Sequence, residues 1–236
     1  IGTDKYTFTV TANGTQLNAS KNGAAATKIA TIDAKGIITY NKVDKNAQTL
    51  LNKSAYNVDP FTAGIEIVVT NECDEILPLT GNKFDVKFLR PINVVDLKSA
   101  ELKDATTGTA KIDMSKLLGL TDWRGEAFAV EPIDFYTYYG IEGATAISID
   151  KDKIMTTLNA SEAAPKLLKD VAPNMSIDYA CDLKKSGNDI TYGDLVYANG
   201  KFTINAPFKL FIPVTVKYTF GEVTSTVTLT ITPTHD

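Results

Sequence analysis

The chain predicts a mainly-β fold of stacked antiparallel sheets, and three observations carry that prediction. The first is the stretch from Asp194 to Thr232. After Pro207 every second residue is apolar (Phe208, Leu210, Ile212, Val214, Val216, Tyr218, Phe220), and Val227, Leu229 and Ile231 return among threonines. Alternation of that length puts one face of a strand in a core and the other in water. The second is that shorter runs of this kind recur with turn dipeptides between them, which points to sandwiches with Greek-key connections rather than to a parallel βαβ sheet. The third is composition: 44% hydrophobic and 22% charged residues are ordinary for a folded domain and argue against disorder. A length of 236 residues fits one large β domain or two of ordinary size.

Tyr6, Phe8 and Val10 alternate with polar residues and meet Asn13-Gly14, a first strand and a tight turn; Leu17 follows in a short polar return and Asn22-Gly23 marks another turn. Lys28–Ile32 and Ile37–Tyr40 flank Asp33-Ala-Lys-Gly36, a hairpin loop with glycine where a left-handed conformation is needed. Asp44 can cap a short helix to Lys53 with Ala47, Leu50 and Leu51 on one face. Ile65, Ile67 and Val69 alternate again, as do Phe84, Val86 and Phe88, with a loop from Asn71 to Asn82 between them. Arg90-Pro91 interrupts the last run, and proline belongs at a strand end or sheet edge. A domain boundary is expected around Asn93–Leu97.

Farther on, Asp113 can cap a helix from Met114 to Leu118 that Gly119 stops. The segment Leu120–Gly125 holds the only tryptophan, and Phe128, Phe135, Tyr136, Tyr138 and Tyr139 follow in an aromatic-rich insertion. A strand is expected over Ala146–Asp150, a capped helix weakened by Pro165 over Ser161–Val171, and a strand over Met175–Leu183. In the closing meander, Leu195 and Tyr197 are expected to pair across Asn199-Gly200 with Phe202 and Ile204, because that dipeptide favours a type I′ turn. The chain then turns at Gly221-Glu222. Phe84–Val94 and Phe208–Val216 end alike, either a faint duplication or two similar sandwich endings.

Phe84-Asp-Val-Lys-Phe-Leu-Arg-Pro-Ile-Asn-Val94, Leu120-Thr-Asp-Trp-Arg-Gly125, Tyr138-Tyr-Gly-Ile141 and Pro213-Val-Thr-Val-Lys-Tyr-Thr-Phe-Gly221 resemble segments of exported, often lipid-anchored β-sandwich proteins of Bacteroidetes. The resemblance implies Ig-like modules and an exported, cell-surface or extracellular location; with the boundary and helices read above, the chain is expected to form two tandem Ig-like antiparallel β-sandwich domains with one or two short helices, divided as 1–94 and 95–236. It brings no activity and no functional residues. Anchored members carry a cysteine at the mature N-terminus; this chain begins Ile-Gly-Thr, which fits a mature or trimmed chain and leaves outer-membrane anchoring open.

A net charge of −4 and a pI near 5.1 give no attraction to nucleic acid or anionic membranes, and Arg90 and Arg124 are the only arginines available for bidentate phosphate recognition. No apolar run reaches the roughly 18 residues of a membrane span. The single histidine, His235, is penultimate, so nucleophilic triads lack a base and zinc lacks ligands; no cofactor motif occurs. Asp122, Glu126, Glu131 and Asp134 could supply the paired carboxylates of a glycoside hydrolase, though Asp122 so close to Arg124 reads as an ion pair or turn acceptor. Asp150–Lys153 and Cys73–Glu75 lack the spaced acids and glycine of a calcium loop. Cys73 and Cys181 are either separate thiols or one bridge, and sequons at Asn13, Asn18, Asn52, Asn159 and Asn174 are composition in a bacterial chain.

Trp123, Phe135, Tyr136, Tyr138 and Tyr139 are the candidate ligand-binding residues. Each combines a flat apolar face with, in Trp and Tyr, a polar edge suited to sugar rings or to a protein hot spot. The alternative is that Trp123 and at least two of the tyrosines fill the second core, and exposure decides between them. Three functions follow: a non-enzymatic module binding a glycan or surface protein, an assembly subunit with strands to donate or accept, and a carboxylate-dependent hydrolase.

Overall fold

A computed structural model describes residues 7–11, 16–19, 27–33, 36–53, 61–70, 73–96, 99–103, 109–126, 135–158, 162–186, 189–198 and 206–234. The turns expected at Asn13-Gly14, Asn22-Gly23 and Asn199-Gly200, and His235, Phe128, Glu131 and Asp134, lie outside them. The chain divides into two compact units, Ile1–Pro91 and Ile92–Asp236.

The N-terminal unit contains β1 (Thr7–Thr11), β2 (Gln16–Ala19), β3 (Thr27–Ile32), β4 (Ile38–Tyr40), α1 (Lys45–Lys53), β5 (Phe61–Thr70), β6 (Ile76–Leu77) and β7 (Lys83–Phe88). β5 pairs with β1, β6 and β7, while β2, β3 and β4 form a second sheet. β1 and β2 therefore part into different sheets instead of returning on each other. The two sheets meet where Val86 and Phe88 pack against buried Ile29, Ala30 and Ile32. The β3–β4 loop closes as its residues demand: Gly36 takes φ +80, and its N–H and that of Ile37 donate to the Asp33 carbonyl and Oδ1.

Asp44 Oδ1 accepts from the Ala47 N–H at 2.9 Å, the side-chain cap expected for α1. Ala47 and Leu51 are buried, and the Tyr40 hydroxyl donates to the Ala47 carbonyl at 2.8 Å, tying helix to sheet. Burial, with the nearby Asp44 carboxylate, pushes the Tyr40 hydroxyl up from 10.0 to about 12. The folded chain thus keeps a proton that the unfolded chain releases near pH 10, so this contribution to stability is complete below pH 10 and is lost as pH rises through about 12. A tyrosine ring-carbon titration followed by NMR is expected to give Tyr40 a midpoint near 12, with unfolding midpoints falling over that interval. A midpoint near 10 would mean that the helix is not docked through this hydroxyl.

The C-terminal unit contains β8 (Ile92–Asp96), β9 (Ser99–Lys103), β10 (Thr109–Asp113), a 3-10 turn (Met114–Lys116), β11 (Leu118–Asp122), α2 (Phe135–Tyr139), β12 (Ile147–Ile149), a 3-10 turn (Lys151–Lys153), β13 (Met155–Thr157), β14 (Lys166–Leu167), α3 (Leu168–Val171), β15 (Ser176–Ser186), β16 (Asp189–Ala198), β17 (Phe208–Tyr218) and β18 (Gly221–Thr234). In one layer β8 pairs with β11, and β10 pairs with β16, which pairs with β15. β10 and β11 act as two halves of one strand broken by the first 3-10 turn. In the other layer β12 and β13 pair with β17, β17 with β18, and β18 in parallel with β9. This is the ABED and CFG partition of an immunoglobulin-like sandwich, with its first strand divided between the layers. Ile112, Leu118 and Leu195 of the first layer share one core with Leu210, Ile212 and Val227 of the second.

Several sequence expectations are corrected. The helix predicted to reach Leu118 is a single 3-10 turn, capped by Asp113 through the Ser115 N–H at 2.9 Å, and Gly119 lies inside β11. Hydrogen bonds from Ser115 hold the Asp113 carboxyl below its usual range. Ser161–Val171 is not one helix. Pro165 disfavours helical backbone before it, Lys166–Leu167 pairs with β13, and α3 is confined to Leu168–Val171. Leu195–Tyr197 is paired on both edges, by β10 on one side and β15 on the other, while Phe202–Ile204, the partner expected across Asn199-Gly200, lies outside the described residues. The last hairpin turns at Thr219-Phe220, with Tyr218 paired to Gly221, two residues earlier than expected.

Candidate functional site

In an immunoglobulin-like sandwich the loops gather at the two ends, and here one end of the C-terminal unit collects three of them. They are the long β11–β12 connection, the β15–β16 turn and the β17–β18 turn. The Thr219 N–H donates to the Tyr139 carbonyl and the Lys217 N–H to the Ala146 carbonyl, both at 2.7 Å, so the connection is stitched to the tip of the β17–β18 hairpin. It also meets β15 and β16: Tyr136, Ile141 and Gly143 line a cleft of about 120 Å³ with Leu183, Lys184 and Ile190.

The connection begins with a tight turn. Asp122 Oδ1 accepts from the N–H groups of Arg124 (2.7 Å) and Glu126 (3.1 Å), and the Gly125 N–H donates to the Asp122 carbonyl at 3.1 Å. Asp122 Oδ2 also lies 3.8 Å from Arg124 Nε. These bonds are those of a turn acceptor, and they leave Trp123 on the outside, 41% exposed. The Arg124 guanidinium sits 5.0 Å from the centre of the Trp123 ring, a cation–π contact that holds the indole on one side.

At the far end of the connection, the single turn of α2 distributes its aromatics by helical angle. Tyr136 points inward and is buried, with its hydroxyl 2.5 Å from that of Tyr192 and their rings 6.4 Å apart. The Tyr179 hydroxyl donates to the Tyr192 carbonyl, and burial raises Tyr179 and Tyr192 above the usual phenol range. Tyr138 points outward and is 65% exposed. Tyr139 lies between them, half-buried, edge-on to Tyr138 at 4.9 Å and packed against Tyr218 and Phe220. The side chain of Phe135 lies outside the described residues. Gly140, at φ +64, ends the helix, and its N–H donates to the Thr137 carbonyl.

Of the five aromatics named from the sequence, the fold therefore sends Tyr136 into the core and leaves Trp123 and Tyr138 at the surface. Tyr139 supports Tyr138 from below. Burial first, then Tyr138, then the Asp122 carboxylate raise the Tyr139 hydroxyl above its usual value, so Asp122 lies within electrostatic reach of Tyr139. The supporting roles of Arg124, Tyr192, Tyr218 and Phe220 were not read from the sequence. Tyr218 and Phe220 had been visible only as strand residues, and their place at the hairpin tip follows from the position of the turn.

The acidic stretch Asp150–Lys153 is neutralised locally. Asp150 lies 2.8 Å from Lys153, whose hydrogen bond lowers the carboxyl and is raised in turn, and Lys151 pairs with Asp178. Cys73 is exposed and Cys181 half-buried, 4.0 Å from the Gly143 carbonyl, and neither is in a disulfide. No helix among the described residues is long and apolar enough to cross a membrane.

The fold and this end define a mainly-β, immunoglobulin-like unit with two exposed aromatics, Trp123 and Tyr138, on its β11–β12 connection. No protein-family model matches the chain, and no curated protein matches it. Among solved structures it is similar to human protocadherin-24 EC1-2, at 12% identity and a TM-score of 0.30, over 99% of this chain and 83% of that one. It is also similar to the three N-terminal domains of the bacteriophage RB49 highly immunogenic outer capsid protein (9%, 0.29, 98% and 58%). A third is protocadherin gamma B7 extracellular cadherin domains 1–4 (11%, 0.27, 98% and 41%). None of these likenesses is close enough to bear on function, and the fold class rests on the sheet order itself.

Proposed function

We propose that the chain is a non-enzymatic binding module, exported to the cell surface or beyond, that takes a carbohydrate on the Trp123–Tyr138 patch. The observation that carries this reading is the outward placement of two large aromatics on the β11–β12 connection, each fixed from one side, Trp123 by Arg124 and Tyr138 by Tyr139. Rings held in place lose little conformational freedom when a ligand stacks on them. The polar groups of the Asp122–Glu126 turn lie beside the indole and can reach hydroxyls. The engagement of Asp122 as a turn acceptor favours binding over carboxylate catalysis at this position.

A glycan array followed by calorimetry on the strongest hits tests it. Trp123→Ala and Tyr138→Ala are each expected to weaken binding at least about tenfold, roughly 1.4 kcal/mol, while Tyr136→Phe, which alters only the core, leaves it intact. No bound glycan, or binding indifferent to both alanine variants, sinks the carbohydrate reading. A pull-down that captures a protein through the same two side chains would reassign the patch to a protein partner.

A further inference from the structure

The outer face of the β13–β17–β18 sheet carries a cleft whose floor follows from strand register. Thr157 stands opposite Lys209, and Lys209 opposite Thr230, so the three residues form one row across the strands. They point away from the core, because Thr156, Leu210 and Leu229 beside them are buried. β17 turns Lys209, Phe211, Pro213, Thr215 and Lys217 outward, and Phe211 is the one aromatic among them. Phe211 is half-buried and lines the cleft one step along from the row, with Pro165 and Pro207 as further apolar walls. The volume of about 360 Å³ lies toward the lower end of the roughly 300–1,000 Å³ of small-molecule sites.

Charge decides what such a cleft can hold. Glu162 also lines it, but its carboxylate is engaged: Oε2 accepts the Leu158 N–H at 2.7 Å, Oε1 lies 3.4 Å from Lys166 Nζ, and the side chain is only 18% exposed. Lys209 is exposed and has no ion-pair partner among the described residues, and the hydroxyls of Thr157 and Thr230 have no hydrogen-bond partner among them either. The cleft thus presents a net positive charge, two hydroxyls and an aromatic face. We propose that it is a second binding site, for an acidic sugar. The apolar face of a uronate ring lies on Phe211, its hydroxyls meet those of Thr157 and Thr230, and its carboxylate pairs with Lys209. A cationic ligand would meet like charge at Lys209, and a neutral sugar would gain nothing from it. From Lys209 to Tyr218 β17 rises roughly 30 Å, so this site is separate from the Trp123–Tyr138 patch and does not rest on the reading given to that patch.

Titration of the whole chain with D-glucuronate and with D-glucose, followed by saturation-transfer NMR, tests this. Glucuronate is expected to bind in the millimolar range, about fivefold more tightly than glucose, and to lose that margin as salt is added. Lys209→Gln, a change at an exposed side chain that leaves the core untouched, is expected to bring the two sugars to within about twofold of each other, whereas Lys209→Arg keeps the preference. Phe211→Thr, which a strand accommodates, is expected to weaken both sugars alike. Trp123→Ala is expected to leave glucuronate binding unchanged. A chain that does not bind glucuronate, or a preference that survives Lys209→Gln, overturns the proposal. Loss of glucuronate binding in Trp123→Ala also overturns it, because the sugar would then sit on the Trp123–Tyr138 patch, and the reading of that patch would stand. Trp123 fluorescence reports whether the Phe211 variant folds; if it does not, the two Lys209 variants decide.

Discussion

Gly193→Ala is expected to destabilise the C-terminal unit by about 3 kcal/mol or more. Gly193 stands opposite Cys181 where β15 bulges against β16, at φ +96. A Cβ there would lie 2.1 Å from the Ala180 carbonyl oxygen and 2.5 Å from the Asp182 nitrogen. Both are backbone atoms of the neighbouring strand, so relief requires the strands to part rather than a side chain to swing aside. Urea unfolding followed by the fluorescence of Trp123, the one tryptophan, reads this unit directly. Gly143→Ala is the control. Its φ of +76 carries similar conformational strain, but nothing lies within 4 Å of the added carbon, so only about 1–2 kcal/mol is expected. Equal losses in the two variants would mean that the bulge does not bring the strands together in this way.

Ile212→Ala should cost about 2–5 kcal/mol. Ile212 is fully buried in β17, opposite Val227, and Leu210, Val214 and Leu229 around it are equally inaccessible. β17 has partners on both sides, β18 on one and β12 and β13 on the other, so the surrounding strands cannot collapse into the space left. The loss combines the removed hydrophobic burial with a residual cavity. Ile212→Val, which removes one methylene, should cost about 0.5–1.5 kcal/mol. Fluorescence-detected urea midpoints measure both. An unchanged midpoint for Ile212→Ala would place the residue outside the core.

Alternation made the strands of the closing hairpin legible from sequence, because an uninterrupted period of two has only one structural meaning at that length. Asp44 announced α1 for an equally local reason, since a cap and a helical face lie within a few residues of each other. Partner choice was not local. Leu195 and Tyr197 look ready for the Asn199-Gly200 turn, yet β10 and β15 reach them first from distant parts of the chain. Turn position slipped for a similar reason, because a Gly at Gly221 reads as the turn itself when it opens the next strand at φ +108. In the candidate site, residue types drew attention to Trp123 and the tyrosines, but which of them face water depends on one short helical turn. Tyr136 and Tyr138 are two positions apart in sequence and roughly opposite around the helix, so one meets Tyr192 and the other meets solvent.

β9 lies parallel to the end of β18, with Ser99 beside Thr230 and Lys103 beside Thr234. The chain enters the C-terminal unit through β8, reaches this pair at Ser99 and leaves β18 at its opposite end. Tension applied through the chain would slide the two strands along each other, so that their hydrogen bonds bear the load together rather than yielding one at a time. Resistance to pulling is set by the rate of forced opening rather than by equilibrium stability, so shortening this parallel clasp is expected to change the force of opening more than the thermal midpoint.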